Sequence, residues 1–199
     1  MKYARLYSLL IFLVSFSLLA GCSTDSLPSA ENLETQNLTN LRIVAAHSSK
    51  CLEIEGDSVN NGAAAEQREC DRESHSFNLV PVPGILNTYT IVNKESGKCL
   101  DVFRGGLENG TALVQYRCGE GSNQYFRFTE VTYANMQRYQ LKALHSGKCL
   151  DVFRAQKTDG TKIVQYTCHT EPERTQQGNQ LWSLTDPPSG GNPKPAPSN

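Results

Sequence analysis

Apolar and polar residues alternate along short stretches of the chain with the period of two that is typical of β-strands. "YTIV" (residues 89–92) and "YQLKAL" (139–144) show this alternation. "CLDVF" (99–103), "LVQYRC" (113–118) and "IVQYTC" (163–168) are short runs rich in β-branched and aromatic residues. No stretch sustains the periodicity of an amphipathic helix. The pattern predicts an all-β protein of about twelve short strands.

The chain contains three copies of one unit. The heptapeptide "KCLDVFR" occurs at residues 98–104 and 148–154, and "KCLEIEG" at 50–56 is a weaker copy. Three further positions keep the same register in each copy. An apolar residue precedes the first cysteine (Leu41, Tyr89, Tyr139), and a glycine follows it (Gly62, Gly110, Gly160). An aromatic residue closes each copy (Phe77, Phe126, Trp182). Three equivalent units of about fifty residues predict a closed β-structure with pseudo-threefold symmetry. One large aromatic residue from each unit is expected in its core.

Six of the seven cysteines fall into pairs of equal spacing. Six cysteines allow fifteen connectivities, but only pairing within a unit makes use of the equal spacing. A zinc cluster is the alternative, and it is weak because zinc sites need close-spaced cysteine or histidine pairs, which the four histidines do not supply. The predicted disulfides, each between residues 19 apart, are Cys51–Cys70, Cys99–Cys118 and Cys149–Cys168.

The N-terminus has the features of an export signal. Lys2 and Arg5 precede an apolar run that ends in "LAGC" at Cys22. The run is shorter than the roughly 20 residues of a membrane span, which argues against a transmembrane anchor. Residues 19–22 resemble the lipobox of bacterial lipoproteins, which implies a signal peptide over residues 1–21 and acyl chains on Cys22. Those chains would anchor the protein to a membrane, and Ser23 after the cysteine resembles outer-membrane sorting.

Composition divides the mature chain into three parts. Residues 22–40 are polar and are predicted to form a flexible tether, and the Pro- and Gly-rich residues 186–199 are predicted to be disordered. One domain, residues 41–185, lies between them, with repeats at about 41–82, 88–131 and 138–185. Loss of the two signal-peptide cations leaves 17 basic against 20 acidic residues, a net charge of about −3. This balance does not suggest a nucleic-acid surface.

The combined pattern "SGKCLDVF…NG…VQY.C…NQLW" resembles the ricin B-chain type of lectin repeat, whose hallmark is a terminal Gln-x-Trp and whose fold is a β-trefoil. The third unit has Gln180-Leu181-Trp182, the second has Gln124-Tyr125-Phe126, and the first keeps only Phe77. The resemblance covers essentially the whole of residues 41–185. It implies a carbohydrate-binding protein that uses galactose-like or other glycans as ligands.

In this family each binding site combines a carboxylate, a stacking ring and an Asn-Gln pair. These groups suit a sugar, which offers paired hydroxyls and an apolar C–H face. Gln115 and Gln165 fit the pattern as supporting residues. Carried over by position, the predicted sites are Asp101, Tyr116, Asn123 and Gln124 in the second unit, and Asp151, Tyr166, Asn179 and Gln180 in the third.

The first unit departs from the pattern. Its corresponding residues are Glu53, Arg68, Ser74 and His75, and the absent ring and amides predict a structural role. Arg104 and Arg154 are interpreted as solvated surface arginines, with a position at the border of the pocket as the alternative. Asp101 and Asp151 lie in different units, which argues against a glycosidase pair.

No enzymatic motif, metal site or cofactor is predicted. The main alternative to a membrane-tethered lectin is a scaffold that acts by protein contact. A lipobox with a ricin-type domain is similar to the cell-binding subunits of cytolethal distending toxins. The partner would then be a toxin or envelope protein.

Overall fold

A computed structural model of the protein describes residues 38–71 and 75–186, and within them twelve strands fall into three successive groups of four. The first group is β1 (Arg42–Ala45), β2 (Cys51–Ile54), β3 (Ala65–Arg68) and β4 (Phe77–Pro81). The second group is β5 (Thr88–Asn93), β6 (Cys99–Val102), β7 (Leu113–Tyr116) and β8 (Phe126–Tyr133). The third group is β9 (Met136–Ala143), β10 (Cys149–Val152), β11 (Thr161–Tyr166) and β12 (Leu181–Thr185).

Six of the strands close into a barrel. Antiparallel pairs join β1 to β12, β12 to β9, β9 to β8, β8 to β5, and β5 to β4. A bridge between Leu41 and Phe77, with two backbone hydrogen bonds of 2.8 Å, links the start of β1 to β4 and completes the circle. Closure pairs the two strand edges that an open sheet would leave exposed.

The other six strands form three hairpins that cap the barrel. Each hairpin begins at the first cysteine of its unit and keeps one register: Cys51 opposite Arg68, Cys99 opposite Tyr116, and Cys149 opposite Tyr166. The β3–β11 pairing and two isolated bridges join the hairpins to one another. A barrel capped by three equivalent hairpins is the β-trefoil, so the predicted all-β, pseudo-threefold architecture is confirmed.

The closing aromatic residue of each unit packs in the shared core. Phe77, Phe126 and Trp182 are at most 1% exposed, and they belong to one apolar cluster with the leucine that follows each first cysteine. Trp182 Nε1 donates to the carbonyl of Leu150 at 3.4 Å. Burial of such a ring contributes roughly 1.5–3 kcal/mol of hydrophobic stabilisation. The prediction that these aromatics are core residues is confirmed.

The three disulfides connect the predicted cysteines, Cys51–Cys70, Cys99–Cys118 and Cys149–Cys168. In the chain-entropy model each loop of this length stabilises the fold by roughly 3 kcal/mol.

One element was not predicted: a single helical turn, α1 (Glu173–Gln177), which is capped at its C-terminus by Gly178 with a φ of 65°. Five polar residues are too few to show a helical period.

The predicted signal peptide (residues 1–21), the lipidated Cys22, most of the tether and the C-terminal tail beyond residue 186 lie outside the described residues. Within the described part of the chain, α1 and the 3-10 turns are all too short to span a bilayer.

Candidate functional site

The predicted residues of the third unit, Asp151, Tyr166, Asn179 and Gln180, are brought together by β10, β11 and β12, and we call this set site three. Asp151 is the third residue of β10, and Tyr166 ends the neighbouring strand β11. Asn179 and Gln180 directly precede β12. The backbone N–H of Val152 donates to the carbonyl of Asn179 at 3.0 Å, which holds the pre-β12 segment against β10.

The carboxylate of Asp151 accepts hydrogen bonds from both amides. Asn179 Nδ2 donates to Asp151 Oδ2 at 3.0 Å, and Gln180 Nε2 donates to the same oxygen at 2.8 Å. Gln180 Nε2 also donates to the carbonyl of Thr167 at 3.0 Å, and its Oε1 accepts from the backbone N–H of His169 at 2.7 Å. Because both ends of the Gln180 amide are engaged in this way, Gln180 positions the carboxylate.

One oxygen of site three, Oδ1 of Asp151, remains available to a ligand. Both amides bond to Oδ2 of Asp151, and Oδ1 receives no donor from residues 38–71 or 75–186. Asn179 Oδ1 is buried and likewise has no partner within the described chain. A buried oxygen left unpaired costs about 1–3 kcal/mol. A ligand hydroxyl can donate to Asp151 Oδ1, whereas Asn179 Oδ1 would need a movement of its side chain before a ligand could reach it.

An open cavity of about 410 Å³ lies over these groups. Its walls include Asp151, Tyr166 and Asn179, and its volume falls in the range of about 300–1,000 Å³ that is usual for small-ligand pockets. Tyr166 is 41% exposed, so its ring forms an accessible wall beside the carboxylate. An apolar wall next to hydrogen-bonding oxygens suits a ligand with one polar edge and one apolar face.

The buried position of Asp151 alters its titration. Burial raises the pKa of Asp151 to about 6, against the opposing effects of the Gln180 hydrogen bond, the nearby His169 imidazole and the Asn179 hydrogen bond. The cause is the loss of hydration of the ionised carboxylate. Site three therefore passes from a charged to a neutral carboxyl group near pH 6.

Site two, the set Asp101, Tyr116, Asn123 and Gln124, repeats this arrangement. Asn123 Nδ2 and Gln124 Nε2 donate to Asp101 Oδ2 at 2.9 and 2.7 Å. Gln124 is held by the carbonyl of Arg117 at 3.1 Å and by the backbone N–H of Gly119 at 2.9 Å. Tyr116 is 47% exposed. Burial again raises the pKa of Asp101, opposed by the two amides and His145.

The predicted supporting residues Gln115 and Gln165 lie away from these pockets. Both side chains are fully buried. Gln165 accepts from Ser146 Oγ at 2.7 Å and donates to the carbonyls of Gly106 at 2.8 Å and Glu108 at 3.1 Å. These carbonyls belong to the second unit, so Gln165 joins two units, and we place it outside the ligand-contacting set.

Gln115 and Gln67 make the same contacts from the other two units. Gln115 accepts from Ser96 Oγ and donates to the carbonyls of Ser58 and Asn60 in the first unit. Gln67 donates to the carbonyls of Gln156 and Thr158 in the third unit at 2.9 and 3.0 Å. The three glutamines therefore form a cyclic clasp in which each unit holds a loop of another.

The first unit replaces the carboxylate–amide arrangement with buried ion pairs. Glu53 is 2% exposed, and its carboxylate contacts the Arg68 guanidinium and, at 2.5 Å, His75 Nε2. Arg68 Nη2 also contacts Glu66 at 2.8 Å, and Lys162 Nζ reaches Glu66 at 3.0 Å. Ser74 lies outside the described residues. Because Arg68 stands where the other units have an exposed tyrosine, these contacts favour a structural role.

One group of potential metal ligands lies in this unit. Donor atoms of Glu53, Asp57 and His75 lie within 4.8 Å of one another. Arg68 already contacts the Glu53 carboxylate, and a cation bound there would have to share that group with the guanidinium. The donor set is therefore better suited to an ion-pair network than to a metal.

Sequence reasoning missed four residues of the site three cavity: Phe153, Ala155, His169 and Gln177. Phe153 is the counterpart of Phe103, the last residue of the apolar run "CLDVF" that predicted a strand. In the structure β10 ends at Val152, and Phe153 begins the following 3-10 turn with its side chain partly exposed. Arg154 also lines the cavity, which supports the alternative that it borders the pocket. The recurrence of Phe-Arg after "CLDV" in two units was the available signal.

Comparison with known proteins agrees with this geometry. The family model described as "Ricin-type beta-trefoil lectin domain-like" matches residues 32–116, 74–166 and 122–192. No curated protein sequence matches the chain significantly.

Several solved structures are similar to the chain. The designed threefold-symmetric protein ThreeFoil is 33% identical over 73% of this chain and 97% of its own, with a TM-score of 0.65. An exo-β-1,3-galactanase from Clostridium thermocellum is 33% identical over 73% of this chain and 30% of its own, with a TM-score of 0.64. The cytolethal distending toxin of Haemophilus ducreyi shares the fold at 15% identity, over 78% of this chain and 89% of its own, with a TM-score of 0.59.

Proposed function

The chain belongs to the ricin-type β-trefoil lectin-like domain family, and from this premise we propose that it is a carbohydrate-binding protein that holds glycans in sites two and three. One observation carries the proposal. A buried carboxylate, two amides and an exposed tyrosine occur in the same register in both units. A lectin-like fold supports carbohydrate binding in general, and this repeated arrangement supports its location.

The chemistry of each site matches a pyranose sugar. The aspartate Oδ1 accepts a hydrogen bond from a sugar hydroxyl, while the tyrosine ring packs against the apolar C–H face. Gln124 and Gln180 keep the carboxylates in place and do not contact the sugar. Ordered acceptors of this kind favour one arrangement of hydroxyls over its epimers.

Galactose-like sugars are the proposed ligands. The support is the 33% identity to a domain that makes up 30% of an exo-β-1,3-galactanase, an enzyme whose name concerns galactose polymers. Each shallow site should hold a monosaccharide with a Kd on the order of 0.1–10 mM, about −3 to −5 kcal/mol. Two sites on each chain would then act together on a surface that displays many sugars.

Display on a membrane is part of the proposal. It rests on the lipobox-like residues 19–22, where a lipidated Cys22 would tether the domain to a bacterial envelope, and outer-membrane placement rests on Ser23. The proposed role is not enzymatic. Asp101 and Asp151 lie in separate units and are each held by the amides of their own unit, whereas a glycosidase centre pairs two carboxyl groups at short range.

A second candidate function is a cell-binding or scaffold subunit that acts by protein contact. The observation that favours it is exposed apolar surface on the β4–β5 hairpin. Val80, in β4, is 47% exposed, and Leu86, in the turn before β5, is 78% exposed. Cavities of about 390 and 360 Å³ on this hairpin are both lined by Pro81, Val82 and Pro83. Exposed apolar surface of this kind is typical of interaction sites.

A glycan array with the full chain carrying Cys22→Ser, which removes the predicted lipid site, tests the two functions. Binding that free sugar abolishes, and that Asp101→Ala with Asp151→Ala removes, supports the lectin. A silent array overturns it. If a purified toxin or envelope protein then binds the chain and Val80→Ser with Leu86→Ser prevents this, the second function takes its place.

A further inference from the structure

Sites two and three share a cationic rim that the first unit lacks. Arg104 follows Phe103 directly after β6, and Arg154 follows Phe153 directly after β10. In each pair the guanidinium carbon lies 5.0 Å from the centre of the phenylalanine ring, which is a cation–π distance. Both rings are partly exposed. We call these two pairs the Phe-Arg rims.

The arginines of the rims have a backbone conformation that side chains rarely adopt. Their φ angles are 53° and 55°, in the left-handed region that favours glycine. At the same position the first unit has Gly56, with a φ of 63°. The two units that carry the carboxylate–amide arrangement therefore also carry an arginine in a strained conformation, and the unit without that arrangement has the unstrained glycine. Strain of this kind is concentrated at functional sites.

The rim of site three faces the ligand cavity with its charge unpaired. Arg154 lines the same cavity as Asp151 and Tyr166. Within residues 38–71 and 75–186, neither Arg104 nor Arg154 forms an ion pair with a carboxylate, although other cations do: Lys50, Arg68, Lys162 and Arg174. A guanidinium beside the accessible acceptor Asp151 Oδ1 complements a ligand that has both a hydroxyl donor and a negative group.

We propose that the Phe-Arg rims select glycans that carry an anionic group, a carboxylate or a sulfate, next to the sugar held by Asp101 or Asp151. The proposal rests on the proposed function, because the aspartate must first hold the sugar. A guanidinium offers a planar fork of N–H donors that binds a carboxylate or sulfate through two oxygens at once. The phenylalanine ring beneath it restricts its motion, so less freedom is lost on binding.

The test compares matched glycans on the Cys22→Ser full chain: one neutral galactose-terminated series, one with an added carboxylate and one with an added sulfate. The expected result is preference for one or both anionic series, which identifies the source of the negative group. Arg104→Gly with Arg154→Gly should weaken anionic binding about tenfold, the effect of one charge-assisted hydrogen bond. Binding of the neutral series should weaken much less than binding of the anionic series.

Thermal unfolding of the same variant separates recognition from folding. Because glycine relieves the backbone strain, Arg104→Gly with Arg154→Gly should unfold at the same temperature as the parent chain or higher. Arg127→Ala, which removes an exposed arginine from β8, is the matched charge control and should leave the preference intact. Raised salt should reduce the preference for anionic glycans.

Two results would overturn the proposal without affecting the lectin function. One is equal binding of neutral and anionic glycans, and the other is an equal loss of both in the double glycine variant, while Asp101→Ala and Asp151→Ala still abolish binding. Absence of all glycan binding would instead refute the proposed function, and this inference with it.

Discussion

Replacement of Asp151 by asparagine should stabilise the protein at neutral pH while it abolishes binding at site three. Asparagine has the same shape, and its oxygen can accept the hydrogen bonds that Asn179 and Gln180 now donate to Asp151. Its side chain carries no charge, so the cost of burying an ionised carboxylate disappears. If Asp151 only held a turn in place, its replacement would not raise the free energy of unfolding while it abolished binding.

The magnitude follows from the pKa of Asp151, which is about 6 in the folded protein against an ordinary value of 3.8. Each tenfold change in proton affinity corresponds to about 1.4 kcal/mol, so the ionised side chain lowers the free energy of unfolding by about 3 kcal/mol at pH 7. An asparagine amide must point one N–H₂ group at the cavity, which offsets part of this gain. We expect Asp151→Asn to raise the free energy of unfolding by about 1–3 kcal/mol.

The dependence of the free energy of unfolding on pH tests the sign of this effect a second time. The folded state holds the Asp151 proton more tightly than the unfolded chain, so this group destabilises the wild type progressively as pH rises from about 4 to about 6. The variant lacks the group. The stability difference should therefore rise by about 3 kcal/mol in favour of the variant between pH 4 and pH 6, and stay level below and above that range.

Urea unfolding with intact disulfides, at a series of pH values from 3.5 to 8 (chosen about the two pKa values), measures this difference. The single tryptophan, Trp182, is fully buried and reports unfolding by its fluorescence. Asp101→Asn is the matched control in site two and should show the same sign, because burial also raises the pKa of Asp101. A difference that is independent of pH, or a loss of stability at pH 7, would refute the reasoning.

Four further outcomes are expected. Asp101→Ala should empty only site two and Asp151→Ala only site three, and titration with a soluble sugar should then give one site per chain; loss of both sites in a single variant would contradict their independence. Glu53→Gln should lower the free energy of unfolding by roughly 1–3 kcal/mol, because the partly exposed Arg68 loses one of its two carboxylate partners and keeps Glu66, yet leave both sites occupied in a sugar titration. Binding at site three should weaken as pH falls through 6, since a protonated Asp151 loses an acceptor; calorimetry on Asp101→Ala measures it, and a flat profile would be inconsistent. Dialysis against a chelator should leave binding unchanged, because the ligating groups of both sites are amides, tyrosines and single aspartates; calorimetry before and after would detect any loss.

Features that recur in all three units could be predicted from the sequence. Phe77, Phe126 and Trp182 share one register and one chemical need, the filling of a common core, so their burial follows from the repeat. The disulfides were predictable for the same reason. The hairpin registers follow from the placement of the first cysteine and the strand pattern. Local periodicity and repeated spacing carry this information because each acts within a single unit.

Features that depend on contacts between units could not be predicted in this way. Gln165 resembles a site residue by its position, but its amide bonds to carbonyls 57 and 59 positions away in another unit. Its role depends on how the hairpins meet, which no local pattern encodes. The position of Phe153 was not predictable for a different reason. It is the first residue after β10, and the apolar run "CLDVF" does not show where the strand ends.

The first unit lacks the carboxylate–amide arrangement, but through the cyclic clasp it holds a loop of another unit. Gln67 holds the loop at Gln156 and Thr158, and His47 Nε2 lies 3.0 Å from the Gln156 carbonyl. That loop continues directly from the Phe-Arg rim of site three. The first unit thus holds in place the loop next to site three, although it lacks the carboxylate–amide arrangement itself. Loss of the Gln67 contacts would therefore affect a pocket of the third unit.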